Sequence, residues 1–411
     1  MASSPSEVLA QPGAPPRINC PDHHPVTADL MPTGVGPLVL AQIYCLKLRQ
    51  TYYPTSAPMI SPDGQSIAYY EHDTILRVGR LDGRGGWIDY QADLGVFATF
   101  EAAKFRAARA VAWASHSQFL WTATHERERP LGFAVTAMRP VHTLEGGGLQ
   151  PLPPLQYGAG PLDALLWAGG DGLAVAQFGT RGGYYRPEHQ DPAPTFAIVD
   201  AAHGRVLDSL LFDAIEPLRA RGPGTPPWVL VRNAAATVLP DDKVRVLLSV
   251  GQWVVWTQGE APRVIPDPYP GDVTSRMVLS PDGSRVLVVR LLRTEGGICI
   301  RLTGCSPGRP VEGVLAALHD LESGRALWSV RATATNDYEF PTPAISPDGR
   351  YALVGLMPQG DRPRIGLLSM TDGAIVQTLP APVGSTYAMG FARGGRTVWT
   401  QGYSVAALYD F

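Results

Sequence analysis

The residue types best suited to chemistry gather in residues 179–192, Gly-Thr-Arg-Gly-Gly-Tyr-Tyr-Arg-Pro-Glu-His-Gln-Asp-Pro. Tyr184 and Tyr185 could stack a ligand or peptide while Arg181 and Arg186 grip a carboxylate or phosphate. Glu188 and His189 follow as candidates for acid–base work. The plainer reading is that the tyrosines cover the base of their own loop and the charges are solvated. A second loaded stretch, residues 293–312, holds Arg293 and Arg301 around the strand-like run Ile-Cys-Ile-Arg-Leu at 298–302. It reads as a binding arm or as a simple strand extension. Cys299 and Cys305 are close enough in sequence for a local disulfide, though two unrelated thiols are an equal alternative.

His125 and Glu126 open the run His-Glu-Arg-Glu-Arg-Pro, either an acid–base pair or a solvated hairpin tip. Asp337, Tyr338 and Glu339 lie together in residues 336–340, where the carboxylate pair could do acid–base or cation work and Asp337 and Tyr338 could contact a ligand, or the loop is merely exposed. Cys20, His23 and His24 lack a further ligand at a suitable spacing, so no metal site is expected. No cofactor motif stands out. The remaining histidines are scattered singly and suggest no catalytic triad.

Those residues must be held by many short strands. The chain has 411 residues, 45% of them apolar, with 44 glycines and 39 prolines. Turn-forming residues spread this evenly suit an all-β chain and argue against long helices. Charged residues make up 17% and the net charge is −3, without the basic stripe of a nucleic-acid binder. No apolar run is long enough to span a membrane. Residues 1–36 read as a flexible N-terminal segment and 37–411 as one domain. The first residues lack the apolar core of a signal peptide. Compartment stays open, with a lean to periplasm or secretion if a leader is absent from this chain.

The organising signal is a repeated tetrapeptide, Ser61-Pro62-Asp63-Gly64, Ser280-Pro281-Asp282-Gly283 and Ser346-Pro347-Asp348-Gly349, each between short apolar runs. Proline presets φ for the first turn position, aspartate bonds nearby backbone, and glycine takes positive φ. Each copy therefore predicts a hairpin joining a first strand to a second. Degenerate copies at Ser115-His116-Ser117, Gly170-Asp171-Gly172, Pro240-Asp241-Asp242 and Arg393-Gly394-Gly395 divide the chain into units of similar size. The phrases running from Leu318 to Gly324 and from Leu368 to Gly373 close third strands. The last unit ends one strand short, whereas the run from Gln42 to Leu48 has no partner of its own. The economical expectation is a ring of seven four-stranded blades, or six or eight if the weak units are cut wrongly, closed by this N-terminal strand. Two helices are expected between units, at residues 97–109 and 212–220.

This pattern resembles the superfamily of bacterial β-propellers with Ser-Pro-Asp-Gly hairpins. That superfamily includes the propeller of the Tol-Pal translocation protein TolB and those preceding the peptidase domain of prolyl oligopeptidases. The resemblance covers roughly residues 42–411 and implies a WD40-like propeller fold. Peptidase activity is not implied, because no Gly-x-Ser-x-Gly elbow occurs and no hydrolase domain follows. In such a fold the second-to-third loops and the connections between blades open on one face around the channel. The loaded stretches at 125–130, 179–192, 293–312 and 336–340 fall on that face. The expectation is a monomeric module binding a protein, peptide or small molecule there. The alternative is a hydrolase, lyase or cyclase with groups from several blades.

Overall fold

The computed structural model describes residues 16–19, 30–45, 59–61, 63–71, 75–80, 87–91, 112–113, 120–125, 133–141, 148–151, 162–169, 173–178, 195–200, 205–211, 215, 233–269, 275–293, 311–333, 342–356, 364–380, 388–402 and 405–411. These residues are all-β. Beyond strands and turns they contain only short 3-10 segments, at Arg393–Gly395 for example. The expected helix at 97–109, the one at 212–220 apart from Ile215, which is in no helix, the turns at 115–117 and 170–172, and the extra strand at 298–302 lie outside the described residues.

Six four-stranded antiparallel sheets and one five-stranded sheet are present among the described residues. The first sheet is Met59–Ile60, Ser66–Glu71, Ile75–Arg80 and Trp87–Gln91. The second is Ala112–Trp113, Leu120–His125, Phe133–Val141 and Gly148–Pro151. Its fourth strand carries no apolar alternation and was not evident in the sequence. The third is Leu162–Gly169, Leu173–Phe178, Thr195–Asp200 and Arg205–Leu211. The fourth is Asn233–Val238, Val244–Ser249, Trp253–Thr257 and Arg263–Ile265. The fifth is Arg276–Leu279, Arg285–Arg293, Val311–Asp320 and Ala326–Thr333. The sixth is Ala344–Ile345, Tyr351–Leu356, Arg364–Ser369 and Ile375–Pro380.

The seventh sheet joins the two ends of the chain. Ala388–Ala392, Thr397–Gln401 and Val405–Asp410 are followed by Val39–Cys45, which pairs antiparallel with Val405–Asp410 from Val39↔Asp410 to Cys45↔Val405. A fifth strand, Arg17–Asn19, lies parallel outside it. First strands of successive sheets pack against one another, and Ala388–Ala392 packs against Met59–Ile60.

Apolar clusters fill the seams between sheets. Phe196, Val246 and Trp256 pack between the third and fourth sheets, and Leu287, Leu318 and Val354 between the fifth and sixth. Because a sheet is covered on both faces, its inner strands read as continuous apolar runs instead of alternating ones. Thr195–Asp200 and Trp253–Thr257 are buried throughout.

The Ser-Pro-Asp-Gly turns are built alike. In the fifth sheet the Gly283 amide donates to the Ser280 carbonyl (2.8 Å), and Gly283 has φ +66°. The buried Ser280 hydroxyl accepts from the Arg285 amide (3.0 Å) and donates to Asp282. The Asp282 carboxylate also accepts from the Ser284 amide (3.1 Å). Ser61 and Ser346 repeat this arrangement. Burial raises the pKa of Asp282 and Asp348, but hydrogen bonds to each carboxylate outweigh that and leave both below the ordinary value. The turns also lean on their neighbours. A Cβ on Gly395 would lie 3.0 Å from the Pro347 ring, and one on Gly64 would lie 3.4 Å from Arg393.

Residues 30–38 run from the seventh sheet onto the sixth. The buried Tyr409 hydroxyl donates to the Leu30 carbonyl (3.1 Å), and Thr33 bridges to Thr378. Gln377 clamps Leu38, accepting its amide at 2.8 Å and donating to its carbonyl at 3.0 Å.

Candidate functional site

Antiparallel order sends every second-strand end and every first-strand start to the same face. Glu71, His125, Phe178, Ser249, Arg293, Leu356 and Gln401 end the second strands there. The opposite face is made of the first-to-second turns and the third-to-fourth turns, such as those ending in Gly324 (φ +71°) and Gly373 (φ +75°). The two kinds of turn are joined: the Leu321 amide donates to Ser284 and the Met370 amide to Arg350, each at 2.9 Å.

Of the candidates from the sequence, two are described at the first of these faces. His125 and Arg293 are terminal residues of second strands in the second and fifth sheets. Glu126, Arg181, Tyr184, Tyr185, Arg186, Glu188, His189, Arg301, Asp337 and Tyr338 lie outside the described residues, as do Cys299, Cys305, Cys20, His23 and His24. By connectivity, residues 126–132, 179–194 and 294–310 join second to third strands, and residues 334–341 join the fifth sheet to the sixth. Among the described residues, no group of histidine, cysteine and carboxylate side chains could hold a metal ion. No helix of the described residues is long and apolar enough to cross a membrane.

The described residues reveal a polar cluster that the sequence did not, in the seam between the fourth and fifth sheets. The Ser249 hydroxyl donates to Asp267 (3.0 Å), and the other Asp267 oxygen accepts the Tyr269 amide (2.8 Å). The Tyr269 hydroxyl lies 3.0 Å from Nε2 of His319, which is 2% exposed. The Arg290 guanidinium sits 4.7 Å over the Tyr269 ring. Trp253 and Tyr269 flank the imidazole edge-on at 5.4 and 5.5 Å.

Burial lowers the His319 pKa, and the Gly324 carbonyl and Asp267 only partly oppose it. The ring is therefore neutral at pH 7. Nδ1 faces only the Gly324 carbonyl (3.4 Å), so it carries the proton, and Nε2 accepts from Tyr269. A tyrosine–histidine pair is acid–base chemistry in principle. Here both imidazole nitrogens are occupied and screened from solvent, so the pair ties two sheets together. Asp267-Pro268-Tyr269 is a local turn signal, but His319 comes from fifty residues further on, so nothing in the sequence joined them.

On the face of second-strand ends lies Gln401, at the end of the second strand of the seventh sheet. It is 0% exposed, and neither its amide oxygen nor its amide nitrogen has a hydrogen-bond partner. Its direct neighbours across the sheet are Ala388 and Ala406.

No protein-family model matches the chain, and no curated protein matches it at a significant level. Among solved structures, the WD40 β-propeller domain of Doa1 matches over 92% of this chain and 97% of its own length. The TM-score is 0.51 and the identity 12%. The fold is a β-propeller. In propeller terms, the face that gathers the second-strand ends is the candidate site, and the Tyr269–His319 cluster is a bond between neighbouring blades.

Proposed function

We propose that this propeller is a ring of seven blades, closed by Val39–Cys45 as the fourth strand of the last blade, and that it is a binding module. On this reading it takes a protein, peptide or small-molecule partner through the face of long connections. The ring is supported by the packing of the last first strand, Ala388–Ala392, against Met59–Ile60. The three alike Ser-Pro-Asp-Gly turns accord with a place in the bacterial superfamily that carries them.

The observation that carries the binding reading is the inequality of the two faces. On one, the described turns are tight and their polar groups are bonded to each other. The other receives residues 179–194 and 294–310, connections long enough to need a role beyond joining strands. Arg181, Tyr184, Tyr185 and Arg186 are assigned the main contact, with Arg293, Arg301, Asp337 and Tyr338 beside them. Binding is favoured over catalysis because the described tyrosine–histidine pair is internal and fully engaged.

The test is capture of cellular partners by the intact chain and by a Tyr184→Ala, Tyr185→Ala, Arg186→Ala variant, compared quantitatively by mass spectrometry. Partners retained by the parent should be lost by the variant, with melting temperature unchanged. Retention of every partner would remove this loop as the recognition surface.

A further inference from the structure

We propose that the outer edge of Val39–Cys45 is a strand-docking site for an extended segment of a protein partner, and that Arg17–Asn19 is the chain's own stand-in for that segment. The site lies on the side of the seventh sheet and stands whether or not residues 179–194 bind anything.

Among the described residues every strand pair is antiparallel except one. The exception sets Arg17–Asn19 parallel on Val39–Cys45, with Arg17↔Gln42, Ile18↔Ile43 and Asn19↔Tyr44 in register. A meander adds each strand antiparallel to the last, so a parallel strand is a separate segment laid on a sheet already complete. The outer strands of the other six sheets receive no further strand among the described residues. Lifting Arg17–Asn19 leaves Val39–Cys45 seated. That strand keeps its ladder to Val405–Asp410, and the chain before it is held separately, at Leu30 by the Tyr409 hydroxyl (3.1 Å), at Thr33 by Thr378 and at Leu38 by Gln377. Three parallel pairs at an edge make a replaceable occupant, and the main-chain donors and acceptors beneath them are a template for another extended chain.

The receiving strand dictates what fits. Ile43 is 0% exposed and packs in the cluster shared by the sixth and seventh sheets, with Leu30, Leu38 and Ile365. Gln42 and Tyr44 stand on the other face of the strand, where the Tyr44 hydroxyl donates to the Gln42 side chain (2.7 Å). A docked strand therefore places its central residue opposite Ile43 and the residues on either side opposite Gln42 and Tyr44. Polar–apolar–polar is the fitting pattern, and it is the pattern of the resident Arg17-Ile18-Asn19. The Cys45 end of the strand lies opposite Val405, next to the level of Gln401 and its partner Ala406, at the face of second-strand ends. From there the resident chain must turn back to Leu30, which Tyr409 holds beside the Leu40 end. A partner segment has no such constraint: it continues past Cys45 onto that face and gains contacts the resident lacks. A second copy would offer only the same three residues.

The experiment uses the full chain, an Ile18→Pro, Asn19→Pro variant that empties the edge, and a displayed library of short linear peptides. Alternate amides of a strand face its neighbour and proline has no N–H, so adjacent prolines remove the pairing whichever amide makes it. Peptides selected on the emptied variant should carry an apolar residue between polar ones and slow amide hydrogen exchange at residues 42–45. They should bind the emptied variant about tenfold or more tighter than the parent, where the tethered resident must leave first. A third form, Arg17→Cys with Gln42→Cys, joins two residues that stand opposite each other and locks the resident in place. Oxidised it should bind no selected peptide; reduced it should regain the parent's affinity. Equal affinity for the emptied, parent and oxidised locked forms, slowed exchange elsewhere, or selection of no peptide at all would each overturn the site. If the proline variant does not fold, selection is made on the parent and the locked form decides alone. A disulfide joining two chains instead of one would assign the edge to a second copy and overturn the partner segment.

Discussion

On the turn face, Ser61, Ser280 and Ser346 are buried hydroxyls that each hold a backbone amide and an aspartate, and the aspartates in turn hold the next amide. On the opposite face, the fully buried Gln401 holds nothing, and the longest connections leave the sheets there. The same strands feed both faces, so the difference does not come from the sheet. It comes from how the hydrogen-bonding capacity of each face is spent. A face whose polar groups are satisfied internally contributes stability and has little left to offer a ligand. A buried group without a partner, such as Gln401, gives up stability instead.

Substitutions on the turn face should therefore cost stability and spare binding. The largest effect is expected for Gly373→Ala. Its Cβ would meet Trp328 at 2.7 Å, and its φ of +75° disfavours any L side chain. A loss of about 3 kcal/mol is expected by urea denaturation. A change near zero would mean the turn repacks freely and the contrast between faces is weaker than drawn. Ser346→Ala should come next, losing about 2 kcal/mol because the Tyr351 amide and Asp348 each lose a partner. The triple substitution at Tyr184, Tyr185 and Arg186 should leave the unfolding curve in place; a loss as large as that of Ser346→Ala would put those residues in the fold instead of the site.

Acid acts on the turn face through its aspartates. Asp282 and Asp348 are lowered although burial opposes it, and Asp320 and Asp372 are lowered chiefly by hydrogen bonds from Ser323 and Ser369. A carboxylate lowered in the folded state adds stability above its unfolded pKa, and that stability disappears as pH falls through the folded value. Urea midpoints should thus drop below about pH 4, and less steeply in Asp348→Asn. His319 is also lowered, so its contribution is present above its unfolded value of about 6.5 and declines as pH falls below it. A flat midpoint between about pH 7 and 5 would show that His319 is not held as a buried ring in solution. The smallest effect is expected at the degenerate turn, where Asp242 takes the glycine position with φ +64°. Asp242→Gly should stabilise the chain by about 0.5–1 kcal/mol, read as a small rise in melting temperature.

The hairpins were legible because their instructions are local. Serine, proline, aspartate and glycine in four consecutive positions specify the turn, its pin and its left-handed residue without help from elsewhere. The run from Gln42 could be read as a strand lacking a partner for the same reason, and in the structure Val39–Cys45 lies on Val405–Asp410. Gly148–Pro151 was missed because nothing in Gly-Leu-Gln-Pro alternates; its place comes from pairing with Phe133–Val141. Of the candidate site, only His125 and Arg293, at the ends of second strands, fall among the described residues, and the loops beyond them remain an expectation from the sequence.

Legible in the residues alone are the all-β architecture, the Ser-Pro-Asp-Gly turns and the alternation of strands with short and long connections. All of these follow from short-range backbone preference and strand alternation. Only the tertiary structure decided which buried polar groups are satisfied. Gln377 finds Leu38 across 339 positions and Tyr269 finds His319 across fifty, while Gln401, of the same residue type as Gln377, finds no partner. Side-chain type gives the capacity to hydrogen-bond, but burial and the arrival of a distant partner decide whether it is used.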